Sequence, residues 1–197
     1  MTPVACAMCI ISNWEANFNL VGDWTCPRGD LPVCPVCQSQ MKYRDSRRRH
    51  IRVEGGVKHW GTVRRYLCKR CHRLHTELPL DLCPYKHYRA SIIEDVLDDV
   101  VSEDDPGYED YPCEVTIKRW NAWIDHNSPF IDGYLRSVGF RLLNLGERFL
   151  KCQGSLLNNL RDSFCARGEC WLSFINRVVY NTGASLEPWP PFYAYAP

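Results

Sequence analysis

The 197-residue sequence contains no run of about 18 or more apolar residues, so no membrane-crossing helix is expected. Its first residues, "MTPVACAMCIISNWEANF", hold a short apolar patch but no basic leader, and no secretory signal is expected. Internal repeats and long low-complexity linkers are both missing. The chain therefore reads as one good core or two small modules in series. No pairing of histidine with a carboxylate has a recognisable catalytic spacing, so the chain is not expected to be an enzyme. Net charge is nearly absent too, at +1.

What is abundant is cysteine, twelve in all. Without an export signal these point to thiols held by metal in a reducing cytoplasm rather than to disulfides. The near-zero net charge also hides a strong local asymmetry. Residues 1–40 carry a net of −2, residues 41–75 a net of +10, residues 76–112 a net of −9, and the remainder +2. A strongly basic block followed directly by an acidic one marks an interaction surface, and its basic sign suggests a polyanion.

Residues 34–71 read "CPVCQSQMKYRDSRRRHIRVEGGVKHWGTVRRYLCKRC". A Cys-x-x-Cys pair opens the stretch and another closes it. Between them lie two segments rich in β-branched and aromatic residues, with Gly55-Gly56 as the natural turn. The spacing predicts knuckle, strand, turn, strand, knuckle. Zinc favours four tetrahedral ligands with thiolates among the strongest, so Cys34, Cys37, Cys68 and Cys71 are the expected Zn2+ ligands, in a closed structural site. Metal binding would contribute folding free energy to a hairpin too small to stand alone. A second site at Cys6, Cys9 and Cys26 lacks an evident fourth donor, so these read as buried apolar thiols. Cys83, Cys113, Cys152, Cys165 and Cys170 are expected in the core. His50, His59, His72 and His75 are expected as polar surface groups.

Arginine forks match phosphate oxygens. Arg44, Arg47, Arg48, Arg49, Arg52, Lys58, Arg64, Arg65, Lys69 and Arg70 crowd the hairpin and its knuckle, and are the expected nucleic-acid contacts. Tyr43, Trp60 and Tyr66 lie among them. They could stack on bases, but packing against the ribbon is the expectation.

Residues 1–33 read as an irregular lead-in, and 34–83 as the zinc ribbon. Residues 84–182 read as a mainly helical region and 183–197 as an irregular tail rich in aromatics and proline. Apolar residues Ile92, Ile93, Val96, Leu97, Val100 and Val101 fall at helical spacing. A second helix over 113–126 turns Ile117, Trp120 and Ile124 inward and ends at Asn127-Ser128-Pro129. Its outer Thr116, Lys118, Arg119 and Asn121 are residue types that contact phosphates and base edges. Together the two helices suggest a helix-turn-helix-like unit. Leu135, Val138, Leu142, Leu145, Phe149, Cys152 and Leu156 then form a heptad-like stripe on one long helix. It is read as core, with a homodimer interface as the alternative. A last short helix carries Trp171, Phe174, Ile175 and Val178 inward and stops at Gly183.

The order of "CPVC", "RRYLCKRCHRLHTELPLDLCPYKHY", "TIKRWNAW" and "WLSFINRVVYN" resembles a family of small bacterial proteins of undefined function. That family is similar to the zinc-ribbon and helix-turn-helix N-terminal regions of insertion-sequence transposases. The resemblance implies DNA binding linked to mobile elements and not catalysis, since no carboxylate triad on an alternating β/α sheet follows. The expectation is thus an α+β fold, a zinc-ribbon hairpin followed by a helix-turn-helix-like domain. Its function would be zinc-stabilised DNA binding for a mobile element or phage in the bacterial cytoplasm, with RNA as a second ligand. The alternative is an adaptor docking a protein of a recombination or transcription complex, such as a recombinase, polymerase or nuclease.

Overall fold

A computed structural model describes residues 8–19, 22–25, 27, 29–100, 112–143 and 154–188. The fold is α+β, a curled six-stranded sheet with four helices among the described residues. Contacts divide the chain into two units. One comprises Met1–Ile93 with Leu172–Leu186, the other Glu94–Trp171 with Glu187–Pro197.

The first unit is organised by its longest strands. β1 (Met8–Ile11), β2 (Asn17–Phe18) and β3 (Trp24–Thr25) precede β4 (Met41–Arg52) and β5 (Lys58–Cys68), and β6 (Leu74–Leu78) follows. β4 and β5 form the expected antiparallel hairpin, and both Gly55 (φ 70°) and Gly56 (φ 71°) take the left-handed conformation its turn requires. The register slips between Tyr43 and Asp45, which leaves Arg44 as the extra residue of a bulge. β5 is the pivot. Its other edge pairs with β6 near the second knuckle and with β3 at Gly61, while β6 pairs in parallel with β1 and β3 with β2. The Trp24 ring lies flat over Gly61, so close that a Cβ there would fall 2.0 Å from it.

The irregular lead-in expected before Cys34 is therefore corrected: it supplies three strands of the sheet. Two of these are only two residues long, too short to show a period-2 pattern. The hairpin is likewise not an isolated module. It shares its unit with residues 172–186 far along the chain. Buried Ile51, Val63, Leu78, Leu82, Leu172 and Ile175 belong to this unit's core.

Helix α1 (Ala90–Leu97) buries Ile92, Ile93, Val96 and Leu97 as expected, whereas Val100 is exposed and Val101 lies outside the described residues. Helix α4 (Trp171–Asn181) buries Trp171, Ile175 and Val178, leaves Phe174 half-buried, and is followed by Gly183 at φ 86°.

In the second unit, α2 (Glu114–Leu143) continues through Pro129, so the break expected at 127–129 is not there. Proline removes one N–H from the ladder. The carbonyl it leaves without a ladder donor is that of Asp125, whereas the neighbouring side chains bond to others, Ser128 Oγ to the Ile124 carbonyl at 2.7 Å and Asn127 Nδ2 to that of Trp123 at 2.8 Å. The buried face then runs on through Ile131, Leu135 and Val138. The heptad-like stripe is divided. Leu135 and Val138 lie on α2, but Leu156 begins a separate helix, α3 (Leu156–Cys165), and Leu145, Phe149 and Cys152 lie outside the described residues. Ser155 caps α3 by accepting from Asn158 N, and Asp132 of α2 accepts from Leu157 N at 2.8 Å. Among the described residues α2 packs against α3.

Candidate metal centre and nucleic-acid face

Both knuckles are built alike. After Cys34 the chain turns so that Cys34 N donates to Ser39 O at 2.9 Å, with Gln38 at φ 59°. After Cys68 the same turn recurs, with Cys68 N donating to Arg73 O at 3.0 Å and His72 at φ 56°. In each loop the fifth residue takes the left-handed conformation that directs both thiols inward.

The β4–β5 pairing sets Met41 opposite Cys68 and so brings the two knuckles together. All four ligand atoms of Cys34, Cys37, Cys68 and Cys71 lie within 4.8 Å of one another. Cys34 Sγ is 3.7 Å from Cys71 Sγ, and Cys37 Sγ is 3.3 Å from Cys68 Sγ. Four thiolates about 2.3 Å from a central tetrahedral ion would stand roughly 3.8 Å apart. The donors therefore fit such an ion after small adjustment, and the cluster can hold one. Cys34 and Cys68 are fully buried with Ile10, Met41 and Tyr66, while Cys37 and Cys71 are half-exposed. The thiols are not equivalent before a cation binds. The Ser39 backbone N–H pulls Cys37 down to about 6, whereas burial pushes Cys34 up to about 12 and also raises Cys71.

His75 corrects one expectation. It is fully buried rather than on the surface, and its Nε2 lies 3.5 Å from Cys34 Sγ. Nothing in the sequence spacing marks it, because its position comes from the β5–β6 register, which sets it opposite Tyr66. Cys9 is buried on β1 as expected, and Cys6 and Cys26 lie outside the described residues. Cys83 is buried, but Cys113 and Cys165 are exposed, contrary to the core role expected, and Cys170 is half-exposed; Cys152 lies outside the described residues.

The basic residues of the hairpin do not share one surface. Strand alternation and the bulged register separate them onto two faces. One face carries Tyr43, Ser46, Arg48, His50 and Arg52 from β4 with Lys58, Trp60, Thr62, Arg64 and Tyr66 from β5. None of these ten is a carboxylate, but Glu77 of the adjoining β6 accepts from Tyr66 Oη at 3.1 Å. Tyr43 is 54% exposed and Trp60 41%, whereas Tyr66 is packed in the core. The Arg48 guanidinium lies over the Trp60 ring, 4.9 Å from its centroid, and Arg52 lies over Tyr88 at 5.6 Å. Arg64 donates to the Pro27 carbonyl and to Tyr66 Oη, and borders a cleft of about 590 Å³ with Tyr43, Ser46 and Thr62.

The opposite face looks inward. Ile51, Gly61 and Val63 are buried there. Arg65 forks onto Asp45 with contacts of 2.5 and 2.6 Å. Arg49 donates to the Cys83 carbonyl at 2.9 Å and to that of Lys86, and burial lowers its pKa. These two arginines serve the fold, which removes them from the expected contact set. Arg47 on this face is exposed, and Arg44 is exposed at the bulge, 3.7 Å from Asp45. Near the second knuckle, Arg70 and Lys69 are exposed, and the neighbouring Lys42 ammonium holds the Lys69 pKa down.

On α2, Lys118 and Arg119 are exposed, and Lys118 pairs with Glu114. Thr116 and Asn121 are half-buried, with Thr116 Oγ1 3.2 Å from Cys113 Sγ. Of the acidic block, Asp98 takes Arg161 and the Trp171 indole N–H, and Glu94 accepts from the Cys170 thiol. Glu103, Asp104, Asp105, Glu109 and Asp110 of the block fall in residues 101–111, outside the described residues.

An α+β protein with a four-cysteine cluster able to hold a metal ion is the class defined by this fold and site. Residues 34–120 match a family model described as a domain of unknown function, DUF6431. That span runs from the first metal-site cysteine to Trp120 on α2, and takes in both knuckles and the whole hairpin. No curated protein and no solved structure matches the chain. Among the described residues no helix is long and apolar enough to cross a membrane.

Proposed function

We propose that the chain is a zinc-stabilised DNA-binding protein without catalytic activity, in which four thiolates clip a hairpin whose open face contacts the nucleic acid. Zinc is the ion this donor set suits best, since four cysteines favour a tetrahedral ion and leave no position for a reacting water. The observation that carries the nucleic-acid reading is the open face itself. It holds Arg48, Arg52, Lys58 and Arg64, and the carboxylate beside it, Glu77 of β6, is engaged by the Tyr66 hydroxyl. Arg49 and Arg65 are excluded from this role, and Lys69 and Arg70 extend the basic surface at the knuckle. Arg119 and Lys118 on α2 form a separate candidate contact. The sequence resemblance to transposase N-terminal regions supports a link to a mobile element or phage.

The test is a gel-shift series with metal-loaded protein. Wild type should retard DNA, and joint Arg48→Ala and Lys58→Ala substitution should weaken retention at least tenfold. Unchanged retention by that variant would remove the open face from the reading.

A second reading is an adaptor for a protein of a recombination or transcription complex. The observation favouring it is an apolar rim at the first knuckle, where Leu31, Val33 and Val36 are all exposed. A stable complex with such a protein that is lost on Val33→Lys and Val36→Lys, with no nucleic-acid binding, would replace the first reading.

A further inference from the structure

We infer that the open face takes unpaired nucleic acid, with bases stacked on Trp60 and Tyr43. The inference rests on the nucleic-acid reading above and narrows it to single strands. In a duplex the flat faces of the bases are occupied by neighbouring bases, and a protein meets only their edges and the phosphates. In a single strand those faces are open, and exposed aromatic rings beside cations are what receives them.

The open face has this composition. Trp60 opposes His50 across the hairpin, with ring centroids 5.1 Å apart. Arg48, opposite Thr62 on the same face, covers the Trp60 ring. The indole is thus exposed yet held in place by a cation that could serve a neighbouring phosphate. Tyr43 stands at the other end of the face. Its ring meets Tyr66 edge-on at a centroid distance of 6.2 Å, and its hydroxyl lies 2.9 Å from Ser46 Oγ. These contacts fix the Tyr43 ring while leaving more than half of the residue exposed. Beside Tyr43 lies the cleft bordered by Ser46, Thr62 and Arg64. Its hydroxyl and guanidinium groups can donate to base edges or phosphate oxygens. Ordinary soluble surfaces carry scattered apolar residues. Two anchored aromatic rings set among Arg48, Arg64, Ser46 and Thr62, with the nearby Glu77 carboxylate engaged by the Tyr66 hydroxyl, are better matched to a strand of bases.

The experiment measures affinity for a fluorescein-labelled mixed-sequence 20-mer, as single-stranded DNA, single-stranded RNA and duplex DNA, over a range of salt concentrations. Single strands should bind at least tenfold more tightly than duplex. Trp60→Ala should reduce single-strand affinity by roughly 5- to 150-fold without changing the salt slope, because stacking releases no counterions. Trp60→Phe, which retains a flat ring, should recover most of that affinity. Arg48→Ala should instead lower the slope by about 0.7 for each phosphate that it leaves unneutralised. Duplex binding as tight as single-strand binding, or a Trp60→Phe variant as weak as Trp60→Ala, overturns the inference and leaves the nucleic-acid reading standing. Absence of binding to all three overturns both. The DNA and RNA arms decide which backbone is preferred.

Discussion

Asn181, at the end of α4, pairs with the backbone of Ile11 in both directions. Its Nδ2 donates to the Ile11 carbonyl at 2.7 Å, and its Oδ1 accepts from the Ile11 N–H at 2.8 Å. The amide thereby occupies the outer edge of β1 as a further strand would, and joins residues 170 positions apart. Asn181→Ala should destabilise the first unit by roughly 1–2 kcal/mol. Asn181→Asp should cost at least as much, because a carboxylate cannot donate to the carbonyl. Urea unfolding followed by tryptophan fluorescence checks both variants.

Metal removal should unfold more than the knuckles. The cysteine cluster packs with Ile10 of β1 and Tyr66 of β5, and Gly183 sits against the Pro35 carbonyl. A chelator, or Cys34→Ser, should therefore reduce the stability of the whole first unit by several kcal/mol, on the order expected for a structural zinc site. Metal analysis should find one zinc per chain in wild type and less than one in the variant. Cys34 and Cys71 enter the site protonated, so metal affinity should fall as pH is lowered.

The two left-handed knuckle residues carry a cost that glycine would avoid. Gln38→Gly should leave the melting temperature equal or higher, since relief of strain offsets the greater freedom of the unfolded chain. Gln38→Val should lower stability by roughly 1–3 kcal/mol. Thermal melts of the zinc-loaded proteins distinguish the two.

Lys86 is buried, and burial lowers its pKa from 10.5 to about 8. Below pH 8 both the folded and the unfolded chain carry its proton, and the full burial penalty applies. Between about pH 8 and 10.5 the unfolded chain binds more protons, so stability rises with pH. Lys86→Met should thus be more stable than wild type at pH 7, by up to about 3 kcal/mol, and the advantage should shrink as pH rises through that window.

The features legible in the sequence were those fixed over short distances. Doubled Cys-x-x-Cys spacing and Gly55-Gly56 prescribe the clip and hairpin locally, and both are present. Long-range pairing was not legible. The register that buries His75, and the approach of Trp24 over Gly61, depend on strands distant in sequence. The helix break expected at Pro129 failed because the face beyond it, Ile131, Leu135 and Val138, is buried, and packing overrides a local composition that reads as a turn. The basic block was visible as a charge count, but the division of its arginines depends on a single bulge at Arg44. That extra residue sets Arg48 on the open face, while Arg49 and Arg65 are bound within the fold.

The division of the arginines between two faces can be tested directly. Affinity for single-stranded DNA should be measured against salt concentration for wild type, Arg48→Ala, Lys58→Ala and Arg65→Ala. Each open-face substitution should lower the slope by about 0.7 for every phosphate that it leaves unneutralised. Arg65→Ala should leave the slope unchanged, because that guanidinium is engaged by Asp45. Equal slopes for wild type and both open-face variants, or a fall confined to Arg65→Ala, would contradict the assignment of the open face to nucleic acid.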